Sequence, residues 1–163
     1  MNRRALLTGA ATASAALAVT GLWSASRATG ASGSYPFELT EAEWRERLSP
    51  EAFAVLRQEA TERPFTSPLN DEKRAGVFHC AGCGHPLYSS EAKYDSGTGW
   101  PSFWEAIGPD AIGTMEDRKL FYTRTECHCA NCGGHQGHIF EDGPAPTGLR
   151  HCINGVALEF RAA

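Results

Sequence analysis

Cys80-Ala81-Gly82-Cys83-Gly84 and Cys129-Ala130-Asn131-Cys132-Gly133 are two copies of one short phrase, a CxxC pair closed by glycine. Such a turn points two thiolates at one tetrahedral ion, and the glycine takes the positive φ that the tight turn requires. A single pair would suit a redox dithiol. Two of the same form point to one four-cysteine zinc site made by Cys80, Cys83, Cys129 and Cys132, closed to other ligands and therefore a staple rather than a catalyst. The stretch between the pairs is too long for a simple ribbon hairpin, so distant parts of one domain must meet at the metal. Two local disulfides are the alternative, and they account for the glycines no better.

Upstream of the first pair, Thr40-Glu41-Ala42-Glu43 has the capping-box form and opens a short helix through Trp44 and Leu48. Ser49-Pro50-Glu51 starts a second helix that is expected to run to about Ala60. Pro64, Pro68 and Asn70-Asp71 then mark a loop. From Gly76 the texture changes to short apolar runs broken by Gly and Pro, which predicts strands at Val77-Phe78, Leu87-Tyr88, Leu120-Phe121-Tyr122 and Ile139-Phe140. The clearest alternation is Val156, Leu158 and Phe160 against Ala157, Glu159 and Arg161. The expectation is one mainly β domain, with two N-terminal helices on an antiparallel body.

The chain has 163 residues, 42% hydrophobic and 21% charged, which excludes fibrous and disordered classes. Its first 28 residues read as an export signal. Arg3-Arg4 precedes a weakly apolar run from Ala5 to Trp23, a small-residue end lies at Ser26-Arg27-Ala28, and the paired arginines suggest the twin-arginine kind. A membrane anchor is the alternative, but Thr, Ser and Gly dilute the run. Residues 29–34 form a linker and 35–163 the domain. Without Arg3, Arg4 and Arg27, 12 of the 15 basic residues face 19 acids, a formal charge of −7. That balance is poorly suited to nucleic acid, whose affinity comes from Lys and Arg. Export, to a bacterial periplasm, places the cysteines in an oxidising space, with only transient membrane contact through the signal.

Two cysteines lie outside the pairs, Cys127 and Cys152. In Arg150-His151-Cys152-Ile153-Asn154, entry into the terminal strand would put Arg150, Cys152 and Asn154 on one face. A guanidinium beside a thiol favours the nucleophilic thiolate; a buried structural cysteine is the alternative. His135 and His138, in Gly134-His135-Gln136-Gly137-His138, follow a zinc turn directly, and imidazoles can hand a proton to a leaving oxygen near neutral pH. Ser96-Gly97-Thr98-Gly99-Trp100-Pro101-Ser102-Phe103-Trp104 is a glycine-rich loop with aromatics able to wall a small apolar pocket. Trp100 and Trp104 could equally be core.

Together these segments resemble the B-type peptide-methionine (R)-S-oxide reductases. The matching stretches are Cys80 to Cys83, Tyr94 to Phe103, Arg124-Thr125-Glu126, Cys129 to Phe140, and Asp142-Gly143-Pro144 through Asn154. The resemblance implies two small antiparallel sheets with helices packed at the N-terminus. It also implies reduction of a methionine R-sulfoxide to methionine. Carried onto this sequence, Cys152 attacks the sulfoxide sulfur and becomes a sulfenic acid, and His138 donates the proton, with His135 and Asp142 placing it or a water. Arg150 and Asn154 orient the thiolate, and Trp100 holds the S-methyl group, with Phe103 beside it in the substrate site. Many members carry a recycling cysteine where this chain has Thr98. Cys127 is then either a core residue or the resolving thiol, or else a thioredoxin-like or small-thiol reductant acts directly. The expected partners are oxidised proteins or peptides and that reductant, the expected metal is one structural Zn²⁺, and the expected state is a monomer. A four-cysteine zinc module for binding and a scaffold that only binds Met sulfoxide are the competing readings; acidity weighs against nucleic-acid binding by the first, and the joint presence of Arg150, Cys152, His138 and Trp100 weighs against the second.

Overall fold

The computed structural model describes residues 35–119 and 122–163. The signal and linker expected over residues 1–34 lie outside them, as do Leu120 and Phe121 of one expected strand. Tyr122, the third residue of that expected strand, is an exposed bend rather than part of a strand.

Thr40 closes a reciprocal capping box with Glu43 and starts α1 (Glu41–Arg47). Ser49 caps the Ala52 amide and starts α2 (Pro50–Gln58), which stops where Glu59 turns left-handed. Both starts thus follow the local signals. The helices bury Trp44, Phe53, Val55 and Leu56, and among the described residues no helix is long and apolar enough to cross a membrane.

The body is β1 (Gly76–Cys80), β2 (Pro86–Ser89), β3 (Lys93–Tyr94), β4 (Ser102–Phe103), β5 (Ile112–Asp117), β6 (Arg124–Cys129), β7 (His135–Phe140), β8 (Arg150–Ile153) and β9 (Leu158–Ala162). They form two antiparallel sheets, ordered β2-β1-β9 and β3-β4-β8-β7-β6-β5. The alternating tail therefore divides. Residues 155–157 make a 3-10 turn, and only Leu158 onward enters the strand, beside β1. Cys152 sits instead on β8, inside the larger sheet, and Asn154 stands just past its end.

The two sheets share one core. Phe103 from the larger sheet stacks on Tyr88 at 4.3 Å between centroids and meets Phe78 edge-on at 5.0 Å. β7 can lie flat against β8 because Gly137 has no side chain: a Cβ there would stand 2.0 Å from the Cys152 carbonyl oxygen. Gly137→Ala should therefore push β7 away from β8 at the level of Cys152. We expect a loss of about 1–3 kcal/mol in urea unfolding, and an altered rate of Cys152 alkylation in the protein that still folds.

Candidate active site

The two cysteine pairs join the sheets. Cys80 is the last residue of β1 and Cys129 the last of β6, and each opens a turn built the same way. Gly84 and Gly133, at φ 75° and 67°, donate to the Cys80 and Cys129 carbonyls, both at 2.8 Å. The Cys80 and Cys129 amides donate back across the turn to His85 and Gly134. The sulfurs meet between the pairs, Cys80 to Cys132 at 3.7 Å and Cys83 to Cys129 at 3.6 Å. A tetrahedral ion with Zn–S bonds of ~2.3 Å requires edges of ~3.8 Å, so the four thiols fit one closed site, all within 4.8 Å of one another. Gln136 Nε2 donates to Cys80 Sγ at 3.4 Å, the kind of outer support that metal thiolates receive.

On the far face of the larger sheet a cleft of about 120 Å³ is lined by Thr61, Trp100, Arg124, Gly137, His138, Phe140, Cys152 and Asn154. Its parts come from strand register. Cys152 stands opposite Ser102 on β4 and His138 on β7, and His138 stands opposite Glu126 on β6. Opposed residues share a face, so these four project together. Trp100 is fixed by its indole N–H, which donates to the Glu62 carbonyl at 2.9 Å. The Glu62 amide in turn donates to Asn154 Oδ1 at 2.9 Å, and the Asn154 amide group donates to the Gln136 carbonyl. The loop after α2 is thus clamped between the indole and the end of β8.

His138 Nε2 bonds Asp117 Oδ2 at 2.8 Å, and the same oxygen accepts from Arg124 at 2.6 Å. Burial opposes ionisation of Asp117, but the Lys119 amide, His138 and Arg124 outweigh it and hold the carboxyl well below the usual range. Burial lowers His138 below its ordinary value, and Asp117 only partly restores it. Burial likewise raises Cys152, against the pull of Thr98 and the Arg150 charge. Arg150 is held by a two-pronged pair with Asp142, at 2.8 and 2.9 Å, and lies over the Phe140 ring.

A family description of the SelR domain matches residues 48–162. A peptide methionine sulfoxide reductase MsrB of Leifsonia xyli is 52% identical over 130 residues, 79% of this chain and 94% of that protein. Its namesake in Methanosarcina barkeri is 52% identical over 124 residues, 76% and 87%, and that of Agrobacterium fabrum 50% over 121, 74% and 90%. The chain belongs to the MsrB family.

Within that family frame, Cys152, His138, Trp100 and Asn154 meet at the cleft and Arg150 flanks it. The other expected residues are placed differently. His135 is buried behind His138, its Nδ1 on Glu126 Oε1 at 2.7 Å; His128 takes the other Glu126 oxygen. Asp142 does not reach His138, because it is committed to Arg150. Phe103 is wholly buried, paired with His151 on the core face and turned away from the cleft. The Ser102-Phe103 step alternates, so the serine and not the phenylalanine shares the face of Cys152.

Cys127 is wholly buried and follows Glu126, so it projects to the core face, opposite to Cys152. It lies under the Tyr88 hydroxyl at 3.8 Å, and burial pushes its thiol up to about 12. A direct disulfide with Cys152 is not built into this sheet. The partners that the sequence reading overlooked are Asp117 and Arg124; the latter lay inside a matched motif without a role.

Removal of one thiol tests the staple. Cys129→Ser should lose the bound metal and several kcal/mol of stability, read by metal analysis and thermal unfolding. An unchanged melting temperature would show that the sheets hold without it.

Proposed function

We propose that this chain, as a peptide-methionine (R)-S-oxide reductase, carries its reaction on Cys152 through a sulfenic acid. The observation that carries this reading is the convergence of the Cys152 thiol, the Trp100 ring and the His138 imidazole on one small cleft. The indole and Phe140 give the S-methyl group an apolar seat, and the cleft's size admits a side-chain end rather than a folded surface. The Cys152 sulfur attacks the sulfoxide sulfur while a proton from His138 neutralises the oxygen, which is otherwise a poor leaving group. In balance, thiol and sulfoxide become Cys152 sulfenic acid and thioether: the methionine sulfur gains two electrons and Cys152 loses two. Two external thiols then restore Cys152, leaving their disulfide and water. With Thr98 in the loop and Cys127 on the core face, a thioredoxin-like protein or a small thiol acts on the sulfenic acid directly.

Asp117, not Asp142, orients His138 and favours its charged form. Arg150 and Asn154 hold the approach to Cys152 from either side. We assign a structural zinc to the four cysteines; it ties β1 to β6 and contributes no step. The Arg3-Arg4 leader supports export, and with it repair of oxidised proteins outside the cytoplasm.

The first experiment offers the R and S sulfoxides of a blocked methionine with a dithiol. R alone should be consumed, and Cys152→Ser should consume neither; consumption of both epimers would overturn the assignment. A second test is pH. Below the His138 pKa, itself under the ordinary 6.5, the imidazolium is complete and the thiolate grows with pH, so kcat/KM rises. Between that value and the Cys152 pKa, which lies above the ordinary 9.0, thiolate gained balances imidazolium lost and the profile is flat. Above it, activity falls. A profile that goes on rising through neutrality to the Cys152 pKa would remove His138 as the acid. Asp117→Asn removes the carboxylate that raises His138, so the plateau should begin at lower pH, and its height should drop about tenfold for each pH unit by which its onset moves.

A further inference from the structure

Four groups stand in single file beside the nucleophile. Thr98 Oγ1 lies 3.9 Å from Cys152 Sγ, the longest gap of the series. Ser96 Oγ is 2.8 Å from Thr98 Oγ1 and 2.7 Å from Ser102 Oγ. Ser102, wholly buried opposite Cys152, reaches the Trp100 carbonyl at 3.1 Å.

A hydroxyl has one hydrogen to give and two sites that accept, so the directions can be counted. With Cys152 as a thiol, four hydrogens serve four contacts, all running one way: Cys152 to Thr98, Thr98 to Ser96, Ser96 to Ser102, Ser102 to the Trp100 carbonyl. A thiolate only accepts. Once the thiol proton has left for solvent, three hydrogens remain for the same contacts. Thr98 turns to the sulfur, Ser96 turns to Thr98 and Ser102 turns to Ser96, and the contact given up is the one to the Trp100 carbonyl.

We propose that Thr98, Ser96 and Ser102 act as a reversible hydroxyl chain that donates one hydrogen to the Cys152 sulfur when it ionises and relays that change to the loop carrying the Trp100 indole. Each hydrogen stays on its own oxygen, so nothing is transferred along the chain. The three are positioning residues, acting through Cys152. The proposal rests on reading Cys152 as the nucleophile, and it gives Thr98 a role that replaces, without redox chemistry, the recycling thiol other members carry there.

The test is the pH dependence of Cys152 alkylation by iodoacetamide, followed by peptide mass on the metal-loaded full chain. It needs no turnover, so it is independent of whether a sulfoxide is reduced. Thr98→Val keeps the shape and removes the donor. We expect its alkylation midpoint to rise and the rate at neutral pH to fall about tenfold, the worth of one hydrogen bond to a charged sulfur. Thr98→Ser should restore both. Ser96→Ala should move the midpoint when Thr98 is present and leave it unmoved in Thr98→Val, because the chain then no longer reaches the sulfur. Should Thr98→Val melt early, Thr98→Ala, which removes the same donor with different packing, must give the same rise. Equal midpoints in wild type and the donor-less variants overturn the proposal, as does a Ser96→Ala shift of equal size in both backgrounds.

Discussion

Register across β4, β8, β7 and β6 is the constraint on which the site depends. Ser102, Cys152, His138 and Glu126 oppose one another in sequence across four strands, so their side chains rise from one face. Phe103, His151, Ile153 and Cys127 fall to the other. Because strand side chains have a period of two, a slip of one residue would exchange the sets. It would bury Cys152 and expose the stacked rings of the core. The apolar packing of Phe103 on Tyr88 and Phe78 thus fixes which residues face the cleft, although none of these three rings lines it.

The staple acts on the same register from its ends. β1 and β6 belong to different sheets, yet each terminates in the first cysteine of a knuckle, and the sulfurs of the two knuckles interleave. A metal there would pin the end of β6, the strand that carries Arg124 and Glu126. Glu126 adds a second tie. Burial resists its charge, but His128 and His135 together hold the carboxyl at about 2. It therefore stays ionised and bound to both rings at any ordinary pH. His135 packs against His138, at 5.4 Å between ring centroids.

What was legible in the sequence was what local chemistry decides. The capping box at Thr40, the Ser49-Pro50 start and the two CxxC-Gly turns each depend on residues within a few positions, and each is found as read. β5 left no trace because it is an edge strand with both faces partly exposed, so it has no apolar alternation. β6 was hidden for the opposite reason: Glu126 and His128 are buried polar residues, which break the hydrophobic pattern while filling its place. Asp117 was illegible for a third reason. Its approach to His138 is created by the pairing of β5 with β6 and β6 with β7, and Asp142, nearer in sequence, made the more obvious candidate. Only the register shows that Asp142 is spent on Arg150.

The electrostatics of the resting site follow from its burial. Cys152 is kept as a thiol and His138 as a neutral imidazole, each by desolvation of its charged form. The reactive ion pair is thus scarce in the free protein. A thiolate is also the form that oxidants and stray disulfides attack, so an enzyme that works among oxidised proteins gains by withholding it. The groups that favour the charged forms are in place: Asp117 for His138, and Arg150 and Thr98 for Cys152. In the free protein desolvation outweighs them. On the proposed reading, a sulfoxide seated on Trp100 brings a polar oxygen to His138 and an electron-poor sulfur to Cys152. Both favour the charged forms, so on the proposed reading a seated substrate shifts the balance toward the reactive pair.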